Sequence, residues 1–218
     1  MYLLFLFPSC NGGLDEVYSC DKEINQWVIN NRQSIQSLSR VEWLLLPDAQ
    51  KVPAYRAFTK EQRVNCWLTK INEVLSLSWN DKEKEHIQEI TRFIIDHQNL
   101  FDGRKLSDEQ IEDVELFFYK WQKRSIGIFG WDKDMCIDIA GSALPLRNKN
   151  VEFDYIETLP KLQIGIDRKD QDDGECNCSV RQDFCSSPRP CKEGSCSDTY
   201  YGCGWLWVAS CTGLCGGI

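Results

Sequence analysis

Cysteine supplies most of the reactive chemistry in this chain. Eight of its twelve, Cys176, Cys178, Cys185, Cys191, Cys196, Cys203, Cys211 and Cys215, fall within residues 176–218 with no histidine among them. Thiols this dense either oxidise to disulfides or bind a soft metal as thiolates. Cys176-x-Cys178 and Cys211-x3-Cys215 offer four sulfurs, yet the segment has neither a Cys-x-x-Cys pair nor a histidine. Disulfides are therefore expected, and no metal or other cofactor is assigned. Eight cysteines in 43 residues lie well above the ~8–10% that marks a disulfide scaffold, and a unit of about 40–50 residues buries too little apolar surface to fold without staples. A bridge closing a loop of about 15 residues contributes about 3 kcal/mol, so four contribute on the order of 10 kcal/mol. Spacing leaves the pairing open, apart from disfavouring Cys176 with Cys178 as too close for easy bridging.

The other reactive residues carry less. His86 and His97 are the only histidines and fall on nearly one face of a helical pattern, with Glu83 and Glu89 within a turn of His86. One Glu-x-x-His without a second copy on a facing helix is a weak metal motif, and hydrogen-bonded packing at a helix seam is the plainer role. The acidic run at residues 170–175 lacks the alternating ligands and closing glutamate of a calcium loop. There is no Gly-rich phosphate loop, no nucleophile elbow and no Ser or Cys partner for either histidine in its own segment. No catalytic residue is assigned and no enzyme activity is expected. Cys66, beside Trp67, reads as a small buried hydrophobe, while Cys20 and Cys136 are a candidate pair across the front of the chain.

Between the C-terminal cysteines stand Tyr200, Tyr201, Trp205, Leu206 and Trp207, with no charge after Asp198. A small scaffold must turn some of these outward, and Trp and Tyr favour the membrane–water interface, so the group is expected to contact a lipid or envelope target. The other reading makes Trp205 or Trp207 the core of the miniature itself. The order Cys-x-Cys-Ser-x3-Asp-x-Cys from Cys176, the block Gly202-Cys203-Gly204 and the ending Cys211-Thr212-Gly213-Leu214-Cys215 together resemble the fulvocin C family of bacteriocins. The resemblance is confined to the last 43 residues. It implies a secreted, cysteine-rich antibacterial peptide carried at the end of a longer precursor-like chain.

The elements ahead of the tail read as helices. Apolar residues Ile24, Trp27, Val28, Ile35 and Leu38 recur at helical spacing over residues 21–40, and Pro47 and Pro53 mark a connection over residues 41–57. Thr59 with Gln62 makes a capping box before Val64, Trp67, Leu68, Ile71 and Leu75. Asn80 caps a third stripe that runs to Phe101 and stops at Gly103, and Ser107 with Gln110 opens a fourth through Val114, Phe118 and Trp121 to Lys123 and Arg124. Four helices with short loops suggest a bundle. Residues 125–166 are weakly patterned, with one alternating stretch at 151–156 that suits a short strand. Residues 167–175 carry no apolar side chain and read as an exposed linker, in which Arg168-Lys169 offers a trypsin-like cleavage point or an ordinary charge pair.

The expected fold is therefore mainly α: an N-terminal segment (1–20), a helical bundle-like domain (21–166), an acidic linker (167–175) and a small disulfide-rich domain with little regular structure (176–218). Residues 176–218 are neutral, so the net charge of −8 belongs to what precedes them, and an acidic chain is a poor partner for nucleic acid. Disulfides imply export to an oxidising compartment. The apolar run at residues 1–7 reads as a signal remnant, and Ser9-Cys10 resembles a lipoprotein cleavage box that would lipidate Cys10. No stretch is long enough to span a bilayer. Together these lead to an exported precursor of a stapled antibacterial peptide, freed by a processing protease and acting at a bacterial envelope. The alternative is an uncut surface lipoprotein whose tail is a binding or adhesion module.

Overall fold

A computed structural model describes residues 17–146, 175–182, 184–185, 190–194 and 196–215. Among them the chain is mainly helical, with α1 (Lys22–Ile35), α2 (Arg40–Leu44), α3 (Asp48–Arg56), α4 (Lys60–Leu75), α5 (Asp81–Asp96), α6 (Asp108–Phe129) and α7 (Lys133–Ala140). Side-chain caps set every start but that of α3. The Thr59/Gln62 and Ser107/Gln110 capping boxes form as their spacing predicts, and Asn80 caps α5 in a third box with Glu83. The apolar stripes turn inward: Val28, Trp67, Ile71, Ile90, Phe118 and Trp121 are fully buried, and their burial rather than helix propensity supplies most of the stability.

Several boundaries differ from the sequence expectation. The first helix ends at Ile35, and the supposed connection folds into α2 and α3, because Ser39 and Glu42 close a capping box of their own. Pro53 sits inside α3 at the cost of one backbone hydrogen bond, offset by the burial of Ala54 and Tyr55 on the same turn. The third helix stops at Asp96 and a 3₁₀ turn carries the chain through Gln98–Phe101. α6 runs past Arg124 to Phe129, where Gly130 adopts φ 70° as its C-cap. α7, capped by Asp132, lies in what reads as weakly patterned sequence. The alternating stretch at 151–156 lies outside the described residues.

The tail has little regular structure: β1 (Cys191–Lys192), β2 (Thr199–Cys203), β3 (Ala209–Cys211) and β4 (Leu214–Cys215), with a 3₁₀ turn at Trp205–Trp207. They pair antiparallel as β1 with β4 and β2 with β3. Covalent bonds do the rest. Cys176–Cys196, Cys178–Cys191, Cys185–Cys215 and Cys203–Cys211 are disulfides, so all eight tail cysteines are paired, and Cys176 and Cys178 take separate partners. The Sγ atoms of Cys178, Cys185 and Cys191 lie within 4.8 Å of one another, but each is already spent in a disulfide. They offer no thiolate to a metal.

Candidate functional site

The feature that organises the molecule is where the tail meets the helices. The Cys203–Cys211 disulfide closes a loop whose tip, Leu206 and Trp207, has φ of 51° and 53°. L-residues hold that left-handed backbone only when their surroundings force it, at about 1–3 kcal/mol each. Here the surroundings are the helical core. Trp205, Leu206, Trp207 and Val208 are buried in one apolar cluster with Trp43, Tyr55, Trp67, Phe118 and Trp121. The Trp207 ring meets Tyr55, Trp43 and Trp67 edge to face at 5.1, 6.0 and 6.3 Å, and its Nε1 donates to the Gly141 carbonyl at 2.9 Å. Trp205 stacks on Phe118 at 4.6 Å. Tyr201 lies parallel to Tyr55 at 5.9 Å beneath the Arg63 guanidinium, and burial raises both phenol pKa values above their usual range.

The Gly202-Cys203-Gly204 block has a steric explanation. Gly202 has φ 110°, and a Cβ there would meet Arg56 Nε and Val52 Cγ1 at 3.2 Å. Gly204 has φ 72°, and its Cβ would fall 2.2 Å from Gln182 Oε1, the atom that accepts the Trp205 backbone N–H at 2.9 Å. Only glycine admits both approaches.

A buried ion pair fastens the other side. Arg56 of α3 pairs with Glu175, with side-chain exposures of 5% and 12%. The same guanidinium donates to the Tyr201 and Tyr18 carbonyls at 2.7 and 2.8 Å and to Thr199 Oγ1 at 2.9 Å. The second Glu175 oxygen accepts from Ser19 Oγ and the Cys20 backbone N–H at 3.0 and 2.9 Å. Arg56 and Glu175 thus tie α3, the entry to α1, the start of the tail and β2 together. Glu175 is correspondingly a structural anchor, a correction to its place in an exposed linker.

The aromatic group expected to face a membrane is corrected too. Tyr201, Trp205, Leu206 and Trp207 are 3%, 7%, 0% and 8% exposed, and only Tyr200, at 67%, faces out. Trp43, Tyr55, Trp67 and Phe118 of the helices surround the wedge and keep it from water. The expected Cys20–Cys136 pair is also absent: Cys136 is a free buried thiol, as is Cys66, whereas Cys20 is bonded elsewhere. Burial pushes these thiols up to about 11 and about 12, which removes the thiolate that oxidation needs. Cys10, Arg168 and Lys169 lie outside the described residues.

One arrangement escaped sequence reasoning because it joins two helices. His86 Nε2 lies 2.8 Å from Ser125 Oγ, and His86 Nδ1 lies 3.7 Å from Glu89 Oε1, the order of a hydrolase triad. Its chemistry is spent on packing. Ser125 gives its proton to the Trp121 carbonyl at 3.0 Å, so the imidazole must donate to Oγ rather than accept from it. Glu89 is engaged by Arg124, and Ser125 and His86 are 0% and 3% exposed. Burial holds the His86 pKa below its ordinary value, as suits a neutral imidazole stacked at 5.0 Å on Trp121. His97 is elsewhere, its Nδ1 against the Phe93 carbonyl at 2.9 Å.

No family model, curated protein or solved structure matches this chain.

Proposed function

We propose that the chain is an exported precursor in which the helical region masks a stapled, bacteriocin-like tail until the connecting segment is cut. One observation carries the reading: the tail's Trp205–Trp207 wedge, the part suited to a lipid interface, is buried in the core of the helices. The tail carries no net charge, so an acidic partner cannot mask it by attraction, and apolar cover is the means left. Four disulfides staple the tail internally, and they suit an oxidising compartment. No helix among the described residues is long and apolar enough to cross a membrane.

The burial also sets how release must work. At about 1.5–3 kcal/mol for each fully buried aromatic or leucine, the wedge alone holds the tail by roughly 5–10 kcal/mol. A cut at Arg168-Lys169 would therefore leave a nicked complex. The wedge would leave only for a surface that takes Trp and Tyr equally well, such as a target cell's bilayer interface. The test uses the full oxidised chain before and after trypsin-like nicking, assayed for growth inhibition and membrane leakage on a panel of bacteria. Intact protein should be silent and nicked protein active; inert nicked protein across the panel removes the toxin reading.

The alternative, an uncut surface lipoprotein whose tail serves binding, draws on the Arg56–Glu175 anchor, which makes the tail integral to the helical fold. Intact mass of native material separates the two. A whole chain with a diacylglyceryl group on Cys10 supports the alternative; a fragment that begins between residues 168 and 176 supports the precursor. Neither reading assigns catalysis.

A further inference from the structure

With Tyr201, Trp205 and Trp207 buried, most of the exposed apolar surface lies elsewhere. Helix α6 carries two stripes. Val114, Phe118 and Trp121 face the core, while Leu116, Tyr119 and Ile126 recur on the opposite side at helical spacing and are 53%, 57% and 48% exposed, with Ile128 at the helix end 68% exposed. A helix of an isolated globular protein has no reason to be apolar on both sides. The charges along it are sorted. The first half holds Asp108, Glu109, Glu112, Asp113 and Glu115, whereas residues 117–131 contain Lys120, Lys123 and Arg124 and no acid, in a chain of net charge −8. Arg124 is paired with Glu89, which leaves Lys120 and Lys123, both exposed, to set the sign of this face. The Lys123 ammonium lies 5.1 Å from the centre of the Tyr119 ring.

We infer that the outer face of the C-terminal half of α6 is a docking surface for an anionic lipid bilayer. Isoleucine, tyrosine and lysine on one stripe are the composition of an interfacial helix, in which the apolar groups enter the acyl boundary and the ammonium groups stay among the headgroups. Charge complementarity selects this occupant: anionic headgroups complement Lys120 and Lys123, whereas a two-fold contact centred on residues 119–128 would set each lysine beside its own counterpart. The surface lies on α6 and not on the tail, and it is present in the uncut chain. Vesicle binding and the growth assay can therefore fail separately.

The test is sedimentation of the full oxidised chain with phosphatidylglycerol/phosphatidylethanolamine vesicles and with phosphatidylcholine vesicles. Wild type should bind the anionic vesicles more tightly, and less so as salt rises. The pair Tyr119→Glu with Ile126→Glu, and separately Lys120→Glu with Lys123→Glu, should each weaken that binding about tenfold or more, while Ile29→Ser on α1, 45% exposed, leaves it unchanged. Unaltered melting certifies each variant, and should the apolar pair melt early, the exposed lysine pair decides alone. The inference is overturned if wild type shows no preference for anionic vesicles, or if both pairs bind as wild type does. A dimer in solution that Ile126→Glu dissociates, without vesicle binding, would give the face to a second copy and overturn it equally.

Discussion

The helical region and the tail keep the same kind of side chain from water by opposite means. The helices do it with periodic stripes and capping boxes, and their cysteines, Cys66 and Cys136, stay free and buried. The tail has only short paired strands, and all of its cysteines are consumed in bridges. The contrast is between tolerance and shape. A helix cannot present two successive residues at positive φ without breaking, whereas a disulfide loop can hold Leu206 and Trp207 there and deliver them as a wedge. The helices in turn shelter an aromatic tip that the tail is too small to bury. Each region thus supplies what the other's construction denies it.

The sharpest way to break this picture is Trp207→Ala. If the wedge is common to both cores, the loss should be about 4 kcal/mol and should lower the melting midpoint of the helical circular dichroism signal by roughly 10 °C. Helices that melt as before would show two independent regions. Next in size is Arg56→Met, which strands Glu175 without its buried counter-ion at about 3 kcal/mol. Adding Glu175→Gln should recover part of that loss in a denaturant titration, because no charge is then left unpaired. Full additivity of the two losses would mean that the pair does not couple α3 to the tail.

The same contrast explains what the sequence disclosed. Helix starts depend on residues three apart, so Thr59/Gln62, Ser107/Gln110 and Asn80 were legible without any knowledge of the fold. α3 was not, because Pro53 is a local signal against helix that tertiary burial of Tyr55 and Arg56 overrides. In the tail, cysteine density announced disulfides but not their pairing, which depends on where the chain crosses itself. The aromatic cluster was recognised by type and misjudged in direction, since whether Trp207 faces lipid or core is decided by Trp43, Tyr55 and Trp67, more than a hundred residues earlier. Glu175 was misread for the same reason: a carboxylate in an acidic run looks solvated until Arg56 arrives from another helix.

A gain in stability is expected at Lys70, a charged residue placed where the helical core has no use for charge. It is fully buried and donates to the Leu144 carbonyl at 2.6 Å. Burial first, then Arg40, lowers its pKa from 10.5 to about 7, against the opposing pull of Asp138 and Glu73. The fold therefore favours the neutral amine. As pH falls from about 10.5 to about 7 the unfolded chain takes up a proton that the folded chain declines, and stability is lost across that window; below it both states are charged and the loss is complete. Lys70→Met should accordingly stabilise by about 2 kcal/mol at pH 7, after the lost hydrogen bond is counted. The gap between variant and wild type should close by pH 10, and a gap independent of pH would place the lysine's charge in contact with water.

The smallest effect separates the regions most cleanly. Thr59→Ala removes the cap of α4 and with it about 1 kcal/mol, at a hydroxyl whose hydrogen-bond partner is Gln62 of the same turn. Two signals can follow the unfolding: ellipticity for the helices, and protection of the β2 and β3 amides from hydrogen exchange for the tail. If the wedge makes helices and tail one cooperative unit, both midpoints must move together by a few degrees, although the substitution touches nothing in the tail. If only the ellipticity moves, the shared core is a contact between two units that unfold in turn. The tail would then be able to leave a folded mask, and the nicked complex would dissociate more readily than the area of its wedge suggests.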